Sequence, residues 1–356
     1  QIASFAGYEL IPFLTAFFAS IGIIFFYLLV REIFGRSNAF LSSMILIFFP
    51  PFVYYTARSM FHNVLFTVLL IITLYFSLLM TKDNQTGRNV KNWLQWKYLK
   101  FYIFACLSGL LLGLTIITRV SELLWLAPAG LILWLFNIKR VGVIKLLLFL
   151  LFLLIACAPM FHYNQILYGS FFNGGYPQMN QSIQVLAQSS TDIVSSSLGG
   201  GWSFVKKSLN TIRDTIFHFG FDWPQSKKMF QGYFVDMFSY IFWGAILGLA
   251  LFFVNFKKNQ YRQWVYLLVY LLLSYILVVY YGSWVFYDNP DQGAITIGNS
   301  YTRYWLPVYL GALPFFSLFL IKLGKVFCLL MRGKIRDKES KRDDEDGEVV
   351  EQLEMF

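Results

Sequence analysis

Long apolar stretches alternate with short polar punctuation over most of the chain. A helix needs about 20 apolar residues to cross a bilayer. On that spacing nine spans are predicted: Ile11–Val30, Asn38–Tyr55, Asn63–Met80, Phe101–Thr118, Ser121–Phe136, Leu146–Met160, Phe234–Asn255, Trp264–Tyr281 and Tyr304–Ile321. The pattern changes between Phe161 and Tyr233, which are dense in aromatics, amides and glycines and include the run Gly199-Gly200-Gly201. Within that segment Val205, Leu209, Ile212 and Ile216 recur at helical spacing, with Lys206 and Arg213 on another face. Such a stripe predicts an amphipathic helix lying in the membrane interface.

The expected fold class is therefore an all-α polytopic membrane protein. It has about nine transmembrane helices and a loop domain on one face that carries the interfacial amphipathic helix. The division is residues 1–160 (six spans), 161–233 (the loop), 234–330 (three spans) and 331–356 (a charged tail). The tail passes from Lys/Arg-rich to Asp343-Asp344-Glu345-Asp346, a composition that predicts a solvated, disordered segment.

Composition agrees with the pattern. Hydrophobic residues make up 57% of the chain and charged ones 13%, against roughly 25% charged in a soluble domain. The net charge of +10 would suit nucleic acid, but its placement argues otherwise. Loops 31–37, 81–100, 137–145 and 256–263 with the tail from 322 hold 21 of the 29 Lys and Arg. The other eight are Arg58, Arg119, Lys206, Lys207, Arg213, Lys227, Lys228 and Arg303. Under the positive-inside rule the first set is cytoplasmic, which puts the C-terminus inside and the 161–233 loop outside. The charge then reports topology and lends no support to nucleic-acid binding. Cys106, Cys157 and Cys328 lie in or beside apolar runs, so neither a disulfide framework nor a zinc site is expected. No cofactor is indicated. The chain opens at Gln1 with no basic n-region, and it reads as lacking its natural start.

The candidate chemistry collects at outer span ends. Arg58, Arg119 and Arg303 sit at span boundaries on the face poor in basic residues. Boundary charges favour a bundle interior or cavity over lipid, and planar guanidinium forks suit phosphate oxygens; snorkelling to headgroups is the structural alternative. Glu122 follows Arg119 by three residues, so the two can pair on one helical turn. It reads either as the structural half of that pair or as a group orienting Arg119 or touching a sugar hydroxyl. His62 opens the third span, Tyr304 adjoins Arg303, and Tyr168 and Tyr176 offer rings and hydroxyls. Asp288 and Asp291 lie in the turn-forming run Tyr287–Gly293, where capping is the commoner use of Asp. The triplet Asn180-Gln181-Ser182 matches a glycosylation sequon.

Several stretches in order resemble the polyprenyl-phosphate-sugar-dependent membrane glycosyltransferases of the GT-C class, nearest the protein-mannosyltransferase-like and aminoarabinose-transferase-like enzymes of glycosyltransferase family 39. They are Leu28–Arg36, Phe49-Pro50-Pro51 through Arg58, Gly109–Thr115 with Thr118-Arg119, Asn164 through Tyr168-Gly169-Ser170 to Gly175-Tyr176, and Arg303–Tyr309. The resemblance implies inverting transfer of a sugar from a polyprenyl-phosphate donor to a glycan, lipid or protein acceptor. It also implies residence in a bacterial or archaeal plasma membrane or the endoplasmic reticulum. The family's acidic catalytic base would fall upstream of Gln1; Asp288, Asp291 and Glu122 are the carboxylates left to serve here. The rival expectation is a transporter or flippase for a lipid-linked solute.

Overall fold

The computed structural model describes residues 11–58, 62–82, 96–174, 221–288, 291 and 294–354. Among them all regular structure is helical. The elements are α1 (Ile11–Phe34), α2 (Arg36–Ile47), α3 (Pro50–Ala57), α4 (His62–Met80), α5 (Trp96–Thr118), α6 (Leu123–Tyr168), α7 (Trp223–Phe230), α8 (Ser239–Val254), α9 (Tyr261–Gly282), α10 (Ser300–Tyr304) and α11 (Leu306–Glu354). A 3-10 turn, Val120–Glu122, joins α5 to α6, and a π-turn, Gln231–Asp236, follows α7.

Among the described residues, six helices are long and apolar enough to cross a membrane. Counting α2 with α3, and α7 and its π-turn with α8, as bent spans raises the number to eight. The first pair bends by 54° and the second by 93°. Pro50 and Pro51 account for the first bend: neither can donate to the preceding turn, so α2 stops at Ile47 and a new helix starts on the prolines.

The difference from the nine expected spans lies in α6. Its 46 residues would run about 70 Å as a straight helix, twice the hydrocarbon thickness. Gly142 breaks it with φ 67° and ψ 170°, a backbone that residues with a Cβ rarely adopt. Two close approaches show what the break does. A Cβ on Gly109 of α5 would lie 2.1 Å from the Phe149 carbonyl, and one on Gly113 would lie 2.5 Å from Ala156. Both helices advance together across these contacts, so the second arm of α6 runs parallel to α5. The first arm begins one short turn after α5 ends and runs back along it. The chain therefore reverses at Gly142.

Lys145 lies just past that reversal and is buried. Its Nζ donates to the carbonyls of Met80 and Arg140, each at 3.0 Å. Helix C-termini carry unsatisfied carbonyls and a negative dipole end, and this ammonium serves two of them at once. Elsewhere the bundle closes on small and polar residues. A Cβ on Gly248 of α8 would lie 1.8 Å from the Phe315 carbonyl of α11. Asn38 donates to the Pro314 carbonyl at 2.8 Å, and Ser42 meets Ser317 at 2.9 Å. Such contacts join helices where burial of apolar surface alone does not.

Two boundaries move. Residues from Phe161 to Tyr168 form the last turns of α6, which stops at Gly169 with φ 72°; a left-handed glycine is a common helix stop. At the other end α11 continues as helix to Glu354, where the charged composition predicted disorder. Lys, Arg and Glu are strong helix formers, so a charged segment can extend a helix already nucleated by the bundle. The predicted amphipathic helix between Trp202 and Phe219, the sequon and Tyr176 lie outside the described residues.

Candidate functional site

Three helices bring their ends together: the start of α4, the 3-10 turn before α6, and the end of α9. Arg119 leaves α5 in extended backbone, φ −152° and ψ 92°, which turns its side chain into the bundle. There Arg119 Nη2 lies 2.7 Å from Glu122 Oε1, both side chains under a tenth exposed. Glu122 is served by two further donors, the Tyr281 hydroxyl on Oε1 and the Trp125 indole on Oε2. Arg119 also donates to the Tyr281 hydroxyl at 3.1 Å. Trp125 and Tyr281 are each 1% exposed. A general base needs a lone pair within hydrogen-bond reach of the proton it takes, and both Glu122 oxygens are already engaged. Its geometry is that of an anchor for Arg119.

The second arginine enters from α10. Asn299 caps this short helix through its side chain, and Asp288 Oδ2 accepts from the Ser300 N–H at 2.7 Å. Arg303 lies 4.0 Å from the same oxygen and donates to the Ser300 hydroxyl. One ring links the two arginines. The Arg119 guanidinium sits 4.5 Å from the Tyr304 centroid and that of Arg303 5.2 Å. Tyr281 stacks on Tyr304 at 4.3 Å and 9°. Cations over tyrosine faces are attracted by the ring quadrupole, more so when water is excluded.

Arg58 stands differently. It is exposed at the end of α3 and leans on Tyr54, with its guanidinium 4.9 Å from that ring and donating to the Tyr54 hydroxyl. Among the described residues no carboxylate pairs with it. Neighbouring Tyr55 is buried and ties α3 to the α10 region: its hydroxyl reaches the Ile297 carbonyl at 2.7 Å, the Asn299 carbonyl at 2.9 Å and Thr302 Oγ1 at 2.7 Å. His62 is exposed at the start of α4, within the field of Arg119 and Arg303. Tyr168 ends α6 as an exposed residue and takes no part in these contacts. Asp291 is exposed, and its carbonyl accepts from the Ala294 N–H in a turn.

Sequence reasoning passed over Tyr281, Trp125, Tyr54 and Tyr55, which orient the charged groups, and Asn63. Asn63 is 2% exposed on the first turn of α4, and neither amide atom has a hydrogen-bond partner among the described residues. A tyrosine at the end of an apolar span was the only available signal for Tyr281. Tyr301, on α10 outside the spans, has its hydroxyl pushed up to about 12, chiefly by burial and despite a hydrogen bond with Gln225. No group of three or more His, Cys, Asp or Glu among the described residues is arranged to hold a metal ion.

Among the described residues, the fold and these contacts define an all-helical bundle with several helices long and apolar enough to cross a membrane and a cationic, aromatic-walled cluster at one end. Comparison with protein-family models, with curated proteins and with solved structures finds no match.

Proposed function

We propose that the protein transfers a sugar from a polyprenyl-phosphate carrier to an acceptor at the outer membrane face. One observation carries this reading: Arg119 and Arg303 converge on the Tyr304 ring at a single end of the bundle. Arg58 stands on the same end, with no carboxylate paired to it among the described residues. The acceptor hydroxyl attacks the anomeric carbon, and the bond from that carbon to the phosphate oxygen breaks. Polyprenyl phosphate leaves with the electron pair, and the hydroxyl proton passes to a carboxylate base. Preorganised guanidinium groups in a partly dehydrated site stabilise the departing charge. Buried Asn63, with an amide that meets no hydrogen-bond partner among the described residues, supports a polar ligand near the start of α4, because buried amides are seldom left unsatisfied. For the base, exposed Asp288 fits better than Glu122, whose two oxygens are already engaged.

The same reading counts the two arms of α6 as separate spans, making nine, with the C-terminus cytoplasmic and the cluster outside. Single cysteines at Tyr168 and Lys257, in a background lacking the native three, test the orientation. Impermeant maleimide on intact cells should label position 168 and spare 257. The rival transport reading draws on the Arg119–Glu122 pair, an ionisable couple at a bundle end.

The deciding experiment measures transfer from a polyprenyl-phosphate-sugar donor, normalised to inserted protein. A charge-assisted contact to phosphate contributes about 1.5–3 kcal/mol, so Ala at Arg58 or Arg303 should cost about tenfold to a hundredfold. Lys should restore part of the rate, since it lacks the bidentate fork. Near-native rates in both Ala variants would defeat the proposal.

A further inference from the structure

The helices that frame the arginine cluster also frame a cleft at their opposite ends. Thr81 and Lys82 follow the end of α4, Arg140 closes the first arm of α6, and Gln260, Tyr261 and Arg262 open α9. Together they line a cavity of about 230 Å³. At about 30 Å³ per liquid water, this holds a phosphate group with several waters. Positive-inside counting treats these basic residues as marks of topology, yet the structure gathers three of them from three elements around one concavity.

Their electrostatic surroundings decide what the cleft can take. Lys82 is bound to Glu32, with Nζ 2.7 Å from Oε2, and Arg31 lies 3.8 Å from the other oxygen. That carboxylate is thus already matched by two cations. Arg140 and Arg262 have no carboxylate within ion-pair distance among the described residues. Arg140 rests over the Tyr261 ring at 5.5 Å, and Tyr261 is itself fixed by donating to the Phe136 carbonyl at 2.6 Å. The carbonyl ends of α4 and of the first α6 arm would normally turn negative potential toward this region. Lys145 already covers Met80 and Arg140 there. The start of α9 adds the positive end of a 22-residue helix. The cleft therefore has two arginines that pair with no acid among the described residues, one of them braced on a ring, at a positive helix terminus.

We propose that this cleft binds a phosphate-bearing anion, through the phosphate of a membrane lipid headgroup or as free phosphate. Arg140 and Arg262 make the principal contacts, and Lys82, Thr81 and Gln260 complete the polar wall. Arginine favours such oxyanions because two parallel N–H bonds match two phosphate oxygens. This site is independent of the sugar-transfer reading, and its test uses no transfer assay.

The full chain, purified in an uncharged detergent, is titrated with dioctanoyl phosphatidic acid, and in parallel with inorganic phosphate, while thermal unfolding is followed. Saturable stabilisation of the native protein is expected. R140Q/R262Q should weaken the apparent affinity by at least about tenfold. K257Q/K322Q, which removes the same charge from outside the cleft, should leave it unchanged. Response to the lipid alone identifies a headgroup site; an equal response to inorganic phosphate identifies a site for the free ion, and either keeps the proposal. No saturable response to either probe overturns it, as does an unchanged R140Q/R262Q or an equal loss in K257Q/K322Q. Should R140Q/R262Q fail to fold, R262Q carries the test, and native affinity in that single variant overturns the proposal.

Discussion

Removing the Glu122 carboxylate tests the arrangement at its centre. Glu122 is 2% exposed and accepts from Arg119, Tyr281 and Trp125. In Glu122→Ala the guanidinium loses its counter-ion in a place where water is scarce, and the hydroxyl and indole lose their acceptor. Breaking a buried pair from one side costs about 3–5 kcal/mol. Glu122→Gln keeps one carbonyl acceptor but turns an amide N–H toward a donor, so a smaller loss of about 1–3 kcal/mol is expected. A double-mutant cycle separates pairing from packing. If Arg119 is costly mainly because Glu122 has gone, Arg119→Ala/Glu122→Ala should lose less than the two single losses combined, with coupling of about 1–3 kcal/mol. Reversible unfolding by SDS in mixed micelles supplies the free energies. Losses that add within about 0.5 kcal/mol would refute the coupling and return Arg119 to the role of a snorkelling side chain.

Other consequences follow from contacts already described. Gly109→Ala and Gly248→Ala each drive a Cβ into a backbone carbonyl, at 2.1 and 1.8 Å, and should destabilise by about 1–3 kcal/mol or more; Gly130→Ala meets nothing within 4 Å and should match or slightly exceed native stability in the same unfolding assay. Tyr55→Phe removes the hydroxyl that ties α3 to Ile297, Asn299 and Thr302; a loss of about 1–3 kcal/mol is expected, together with slower transfer, because Arg303 follows Thr302 directly. Tyr301 is held neutral in the fold up to about 12, against an ordinary value of 10.0. As pH rises from 10 toward 12 the unfolded chain loses this proton and the folded chain keeps it, so stability should fall across that window. Tyr301→Phe should flatten the fall in alkaline unfolding curves, and an unchanged slope would count against the assignment.

The helices were largely legible in the sequence, because apolar run length is nearly sufficient to locate a span. Asn63–Met80 falls within one residue of α4 at both ends, and Trp264–Tyr281 within a turn of α9. The nature of the breaks was less legible. Ile47 to Pro50 reads as uninterrupted hydrophobicity, and only the prolines betray a bend that keeps both helices apolar. At Gly142 the reversal needs a single left-handed residue, so the polar loop expected across 137–145 is mostly helix. Phe161 to Tyr168 looked like loop because its amides and aromatics suit a membrane surface, yet those same residues can finish a helix that has already emerged from the bundle.

For the site, sequence spacing could bring Arg119 and Glu122 together because three residues on one turn are neighbours whatever the fold. It could also put Arg58, Arg119 and Arg303 on one membrane face, since alternation of spans fixes which ends share a side. It could not distinguish among the three, and their environments differ sharply. Arg119 is neutralised by a buried acid and Arg303 faces an exposed one at 4.0 Å, while among the described residues Arg58 meets the face and hydroxyl of Tyr54 and no acid. What separates them is the identity of rings from distant helices, Tyr281 and Tyr304 for one and Tyr54 for another. No local pattern encodes those meetings. An anion entering from solvent would meet Arg58 first, since it is exposed and pairs with no acid among the described residues. Arg303 is the next cation that can turn outward without stranding a buried acid. Arg119 is the least free to move, because leaving Glu122 would expose the cost of a buried unpaired carboxylate. If the proposed phosphate reading holds, this ordering would have Arg58 capture the ligand and Arg303 tighten on it, with Arg119 holding Tyr304 in place.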